Sequence, residues 1–500
     1  MNPAAWPAWA QVLLALAAGA LCVLAFAPFG FGVAALAALA ILFFLWRHPA
    51  RPGLGAWTGY AFGLGLMGFG VFWLRISIAQ FGGVPLPLAI VITIAFVLLM
   101  ALYFALAGWV AGLLHGRSEA VWLTLCLPAL WVLVEWLRGW LFTGFPWLAL
   151  GYSQIDLPLV GYAPILGVYG VSLLLALSSG LVNLLPRPTA ALALVALWIG
   201  GLGLQTLDWT APAGAPVRVS LLQGNIPQAE KWRPAMRQPS LDLYLRMTAE
   251  VPDSRIVIWP ETAVPAFAAD VEASLLRPLD SRLRSEGRDV LLGIVDGEPD
   301  GEYFNAMLSL GSSGRDYYHK RHLVPFGEYL PFDELTRPVL DFLVIPMSDF
   351  SPGGDRKPLL TLAGYPVGVD ICYEDAYGNE IIRALPEAVL LINASNDAWF
   401  GDSLAPHQHL EIARMRAVEA ERFLLRATNT GISAIIDQHG TVRGEAPQFE
   451  QAILSADVLP LRGSTPFAWW GNHALVVLAS LLLAVGIWRQ RVSVRPGRIR

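Results

Sequence analysis

Long apolar runs constrain this chain more than any other feature. A helix that crosses the hydrocarbon core of a bilayer needs ~20 consecutive apolar residues. Runs of that kind lie near 8–28, 30–47, 54–75, 86–114, 119–141, 160–185 and 189–207, with a last one near 467–488. Eight spans are therefore expected. The first is followed by further spans and lacks a basic leader, which favours a span over a cleaved signal peptide.

Charge is partitioned to match. Four of the 39 acids (Glu119, Glu135, Asp156 and Asp208) precede residue 210 and none follows 465, leaving 35 between. Six of the 34 Lys and Arg residues precede that section and five follow it, leaving 23. An acidic, water-facing domain at 210–465 thus sits between a membrane domain at 1–209 and a final span with a basic tail at 466–500. Arg47, Arg51, Arg117, Arg187 and the tail arginines Arg489, Arg491, Arg495, Arg498 and Arg500 fall on one side of an even number of spans. The exceptions are Arg75 and Arg138, each at a span end where a long side chain can snorkel. The positive-inside rule makes that side cytoplasmic and puts residues 210–465 on the opposite face. Three cysteines do not make a disulfide framework. Cys22 and Cys126 lie in apolar runs, whereas Cys372 stands alone in the polar section.

From 217 onward the pattern changes to short β-branched runs at 217–223, 255–260, 289–295, 305–310, 365–374, 388–395 and 432–437. Helical stretches at 240–251 and 409–423 lie between them. Near-continuous apolar strands alternating with helices indicate a layered α/β domain. Three polar residues end or follow such strands: Glu261 in WPETAVP, Lys320 in YYHKRHLVPFGE and Cys372 in DICYED. A cysteine is a strong nucleophile once its proton is removed. A carboxylate supplies the base, and an ammonium stabilises both the thiolate and a developing oxyanion. Spacing alone leaves the plainer reading open, with Cys372 a core residue and Glu261 and Lys320 solvated.

These three motifs together resemble the nitrilase (carbon–nitrogen hydrolase) superfamily, whose Glu, Lys and Cys occur in this chain order. The resemblance implies an α-β-β-α sandwich, and it maps an auxiliary glutamate onto Glu328 in LVPFGE. Over its full length the chain resembles the membrane-anchored bacterial branch, the apolipoprotein N-acyltransferases, through its eight spans, the QGNIPQAEKW segment at 223–232 and the GFPW loop. That branch implies an acyl chain passed from a phospholipid, phosphatidylethanolamine by resemblance, through a thioester on Cys372 to a diacylated apolipoprotein. Its location is the bacterial inner membrane, with the catalytic domain periplasmic. Trp232, Tyr373, Glu374 and Trp147 match positions near its substrates, although Tyr373 and Glu374 are equally explained as structural flanks of Cys372. A membrane-anchored amidase or nitrilase-type hydrolase shares the first half-reaction and stays open, as does a transporter or scaffold with a degenerate domain.

Other features are read plainly. Glu135 and Arg138 are spaced for a local ion pair. The loop 144–154 is placed to touch lipid headgroups, or else Trp147 belongs to an interfacial belt. The apolar segment 329–350 is either a membrane-dipping lid or a packed loop. His407 and His409 lack a third ligand for a metal, and the Asn393 sequon lies in an apolar strand. With no phosphate-binding glycine loop and no dinucleotide fingerprint, no cofactor is expected, and without a basic face no nucleic-acid partner.

Overall fold

The computed structural model describes residues 5–47, 51–116, 118–297, 301–332, 334, 337 and 349–492. The chain folds as two compact units. One comprises Met1–Arg75, Ile90–Leu207 and Trp470–Arg500, and the other Ile76–Ala89 and Asp208–Trp469.

The first unit is helical. Ala8–Ala25, Leu86–Leu114, Glu119–Arg138, Pro158–Val182 and Pro466–Arg491 are each long and apolar enough to cross a membrane. Where one span is expected at 54–75, the helices Pro52–Gly70 and Leu74–Phe81 meet at a 56° bend. Val71 causes the break by leaving helical torsions (φ −125°, ψ 14°). The expected spans at 30–47 and 189–207 are helices of 14 and 17 residues, Val33–Trp46 and Pro188–Leu204. At 1.5 Å per residue these reach about 21 and 26 Å, short of the ~30 Å core. Small residues let backbones touch: a Cβ on either Gly55 or Gly108 would collide with the other's carbonyl oxygen.

The second unit contains fourteen strands among the described residues. In chain order they are β1 (Thr210–Pro212), β2 (Val217–Gln223), β3 (Ile256–Ile258), β4 (Asp289–Gly297), β5 (Tyr303–Gly311), β6 (Asp316–His319) and β7 (Leu359–Leu362). They continue with β8 (Tyr365–Ile371), β9 (Leu390–Ser395), β10 (Leu424–Thr428), β11 (Ala434–Ile436), β12 (Val442–Glu445), β13 (Ala452–Val458) and β14 (Leu461–Gly463). Two six-stranded sheets run β13-β2-β3-β4-β5-β6 and β12-β11-β10-β9-β8-β7, and β1 pairs with β14.

Period-two alternation decides the layers. Val219, Leu221, Ile256 and Ile258 of one sheet meet Val367, Val369, Ile371 and Ile392 of the other in a shared core. The opposite face of the first sheet, with Leu222, Val257 and Leu292, packs on Leu241, Tyr244 and Leu283 from the helices Pro234–Ala249 and Arg277–Glu286. Leu391, Leu424 and Ile436 of the second sheet pack on Leu410, Ala413 and Ala417 of the helix Ala405–Ala420. The result is a four-layer α-β-β-α sandwich. The Ile76–Ala89 segment belongs to this unit: the Ser77 hydroxyl donates to the Trp399 carbonyl (2.6 Å), and the Phe81 and Trp399 rings meet edge to face.

Candidate active site

Three strands deliver the polar residues to one place. β3 runs parallel to β2 and β4, and its exit leads to Glu261. β6 ends at His319, directly before Lys320, and β8 ends at Ile371, directly before Cys372. β3 and β6 belong to one six-stranded sheet and β8 to the other. The site is therefore assembled from strand ends of both sheets, where short connections hold side chains over a rigid core.

All three side chains are buried or nearly so, at 7% exposure for Glu261, 1% for Lys320 and 8% for Cys372. The Lys320 ammonium lies 2.9 Å from Glu328 and 3.7 Å from Glu261 Oε1. The Asn305 amide donates to both carboxylates, to Glu261 Oε1 at 2.7 Å and to Glu328 Oε1 at 2.9 Å. Glu328 is fixed in turn by the Val324 N–H (2.8 Å). These contacts account for Glu261 Oε1. Glu261 Oε2 is buried with no hydrogen-bond partner among the described residues.

Cys372 adopts φ +54°, a left-handed conformation that costs a non-glycine residue energy and persists where surroundings over-determine it. Burial pushes its thiol well above the usual range; the Glu261 carboxylate adds to this and the Lys320 ammonium opposes it. Burial also works against the charge on Lys320, yet Glu328, Glu261 and Cys372 hold its pKa above the ordinary lysine value. At rest the site thus carries a neutral thiol beside an ion pair. Ionisation of this thiol calls for a base within reach.

The other expected positions divide. Trp232 is half exposed, and Tyr373 is partly buried with its ring near those of His322 and Tyr377. Glu374 faces inward at 1% exposure and accepts hydrogen bonds from the Tyr318 hydroxyl and from the N–H groups of Ile371, Arg321 and His322. That geometry makes it a brace beneath the Lys320 and Cys372 turns, not a group free to meet a substrate. Trp147 belongs to the helical unit and is 1% exposed, packed against Trp73 and Phe145, so it presents no free ring to headgroups. Asn393 is fully buried with its amide bonded to Asp370 and to the Cys372 carbonyl, which leaves its sequon closed. Most of segment 329–350 (333, 335–336 and 338–348), and with it the lid expectation, lies outside the described residues.

Two site residues were not singled out from the sequence. Asn305 sits in the strand NAMLSL, and Lys231 precedes Trp232 in QGNIPQAEKW. The only available signal was polarity inside apolar or motif-bearing stretches.

Comparison with known proteins covers both units. Residues 18–181 match the apolipoprotein N-acyltransferase N-terminal domain family, and residues 218–465 match the carbon–nitrogen hydrolase family. An apolipoprotein N-acyltransferase from Methylococcus capsulatus is 47% identical over 487 residues, covering 96% of each chain. One from Nitrosomonas europaea is 45% identical over 483 residues, covering 95% of this chain and 97% of the relative. Among solved structures, Saccharomyces cerevisiae Nit3 of the nitrilase superfamily aligns at 18% identity and a TM-score of 0.37, covering 57% of this chain and 98% of Nit3.

Proposed function

The chain belongs to the apolipoprotein N-acyltransferase family, and on that premise we propose that Cys372 carries an acyl chain between two lipid substrates, with Glu261 as general base and Lys320 as oxyanion stabiliser. The enzyme is a membrane acyltransferase acting on lipid and lipoprotein. One observation carries the assignment of roles: Glu261 Oε1 is held by Asn305 and Lys320, while Oε2 is left free of hydrogen bonds among the described residues. Such a carboxylate is oriented but has one oxygen available for a proton.

In the first half-reaction Glu261 takes the thiol proton as sulfur attacks the ester carbonyl of a phospholipid. Lys320 stabilises the oxyanion. The tetrahedral adduct collapses, the C–O bond breaks, and the lysophospholipid leaves with the proton held by Glu261. A thioester remains on Cys372. In the second, the α-amine of the acceptor's N-terminal diacylglyceryl-cysteine attacks that thioester. Glu261 takes a proton from nitrogen, the C–S bond breaks, and the thiol is restored beside an amide product. Glu328 keeps the Lys320 charge in place throughout. Phosphatidylethanolamine is the proposed donor.

The proposed topology puts both termini in the cytoplasm and residues 210–465 in the periplasm. Glu119 pairs with both Arg47 and Arg187, and Gln490 bonds the backbone of Ser118 in both directions. Three basic chain connections and the last helix are thereby gathered at one end of the helical unit, as the positive-inside rule asks.

The test is intact-protein mass spectrometry after incubation with phosphatidylethanolamine vesicles. Wild type is expected to gain one acyl mass that is discharged by a diacylated lipopeptide. The Cys372→Ser variant is expected to turn over no lipopeptide. Rapid release of free fatty acid without acceptor would instead show a hydrolase, and activity retained in Cys372→Ala would sink the assignment.

A further inference from the structure

A second charged cluster, fully buried, grips the turn that carries Cys372. The His409 ring lies between two aspartates, with Nδ1 at 2.9 Å from Asp397 Oδ1 and Nε2 at 3.0 Å from Asp375 Oδ1. Arg426 donates to the remaining oxygens of the same pair, at 3.2 Å to Asp375 Oδ2 and 2.8 Å to Asp397 Oδ2. All four side chains are 0% exposed. The cluster reaches Cys372 through its main-chain carbonyl, which faces His409 Nε2 at 3.3 Å and accepts from the Asn393 amide at 3.1 Å.

Both ring nitrogens of His409 face carboxylate oxygens, which only accept, so both nitrogens carry protons and the ring is an imidazolium. Two cations then balance two carboxylates. Burial and the nearby Arg426 oppose the charge on His409, but Asp375 and Asp397 raise its pKa to about 9. Buried ion networks seldom add net stability over apolar packing, and their best-attested use is to fix geometry. Here the geometry is a left-handed Cys372, a conformation that needs such holding.

We propose that His409 is a positioning residue for the thiol: as an imidazolium locked between Asp375 and Asp397, it holds the Cys372 carbonyl and so the strained turn that aims the sulfur at its substrate. It also offsets the charge of Asp397, a carboxylate that otherwise disfavours the thiolate. The proposal rests on Cys372 being the nucleophile.

The experiment uses the full chain in phosphatidylethanolamine vesicles and follows single-turnover acylation by intact mass. In His409→Gln, acylation is expected to slow at least tenfold with the KM for phospholipid unchanged. The pH profile of Cys372 alkylation is expected to move to higher pH, a change that a merely structural role would not produce. Acylation within twofold of wild type with an unmoved profile would overturn the proposal. Should the variant not fold, ring-nitrogen NMR of the wild type decides: two protonated nitrogens at pH 7 support the imidazolium, and a neutral tautomer overturns it. Wild type that never gains acyl mass on Cys372 would refute the proposed function itself, a separate result.

Discussion

The Lys231 ammonium donates to the main-chain carbonyl of Glu261 at 3.1 Å and to the Thr262 hydroxyl at 2.6 Å. Thr262 is itself left-handed (φ +47°), so the turn after β3 is strained at the residue following Glu261 and is clamped by a buried cation. Lys231 thus acts on Glu261 through its backbone and leaves the carboxylate Oε1 to Asn305 and Lys320.

Lys231→Met is expected to separate activity from stability. Burial lowers the lysine's pKa to about 8, with Glu261 only partly offsetting it, so the folded state disfavours this charge relative to the unfolded chain. Removal of the ammonium therefore leaves stability at pH 7 within about 1 kcal/mol, because relief from desolvation offsets the lost hydrogen bonds. Acylation of Cys372 falls by roughly tenfold to a hundredfold, as small misplacements of a base do. The sign of the pH effect follows from the lowered pKa: the unfolded chain binds more protons between pH 8 and the ordinary lysine range, so wild-type stability gains there. Denaturant titrations at pH 7 and 10 should show that gain in wild type and not in the variant.

Glu374→Gln should behave in the opposite way. The carboxylate accepts from the Tyr318 hydroxyl and from three backbone N–H groups, and an amide turns one acceptor into a donor facing donors. A loss of roughly 2–4 kcal/mol is expected, since unsatisfied buried groups cost about 1–3 kcal/mol each. Chemical denaturation measures it, and a variant as stable as wild type would show that Glu374 is not the brace described.

The sequence disclosed what depends on uninterrupted apolar character. Apolar runs marked the long helices, and strands β2, β4, β5 and β9 lie within a few residues of the expected runs. Strand β10 was hidden because Arg426, at its centre, breaks an apolar run to serve a buried network that no local pattern announces. Strand β13 was hidden because it is an edge strand, half-covered along most of its length. The bend at Val71 and the enclosure of Trp147 arise from tertiary packing, which periodicity does not encode. Glu261, Lys320 and Cys372 were legible through their motifs. Asn305 and Lys231 were not, and His409 was read only as a weak metal candidate, because each acts through contacts far away in sequence: 44 positions separate Asn305 from Glu261 and 37 separate His409 from Cys372.

Replacement of Cys372 by glycine and by alanine should rank in an unusual order. Alanine keeps the Cβ that makes φ +54° costly, and glycine does not. Both lose the thiol and its activity. The glycine variant is expected to be more stable than the alanine variant by about 1 kcal/mol, the left-handed penalty being partly offset by glycine's greater unfolded-state freedom. Paired thermal unfolding measures the difference, and an alanine variant that is the more stable would contradict a strained turn.

Glu328→Gln tests what keeps Lys320 charged. Burial opposes that charge, and Glu328 is the largest electrostatic influence sustaining it, ahead of Glu261 and Cys372. Loss of the Glu328 charge should lower the lysine's pKa, so the alkaline limb of the acylation rate moves to lower pH. At pH 7 the rate is expected to fall by about tenfold or more, because a stabilising charge at the oxyanion is worth ~10²–10³ in rate when wholly removed and Glu261 still supports part of it. The stability sign is fixed by the raised pKa: the contribution of the pair is complete below the ordinary lysine pKa and fades only as pH rises through the higher folded value. Wild type should therefore show no lysine-linked loss of stability up to about pH 10. The variant should lose up to roughly 3 kcal/mol at every pH below that, since the pair is broken on one side only. Acylation rates from pH 6 to 10, measured beside denaturant unfolding, distinguish this from simple loss of packing, which would lower the rate without moving its alkaline limb. An unmoved limb would mean that Glu261 alone suffices to hold Lys320 charged, and Glu328 would then serve only to fix the Val324–Glu328 turn.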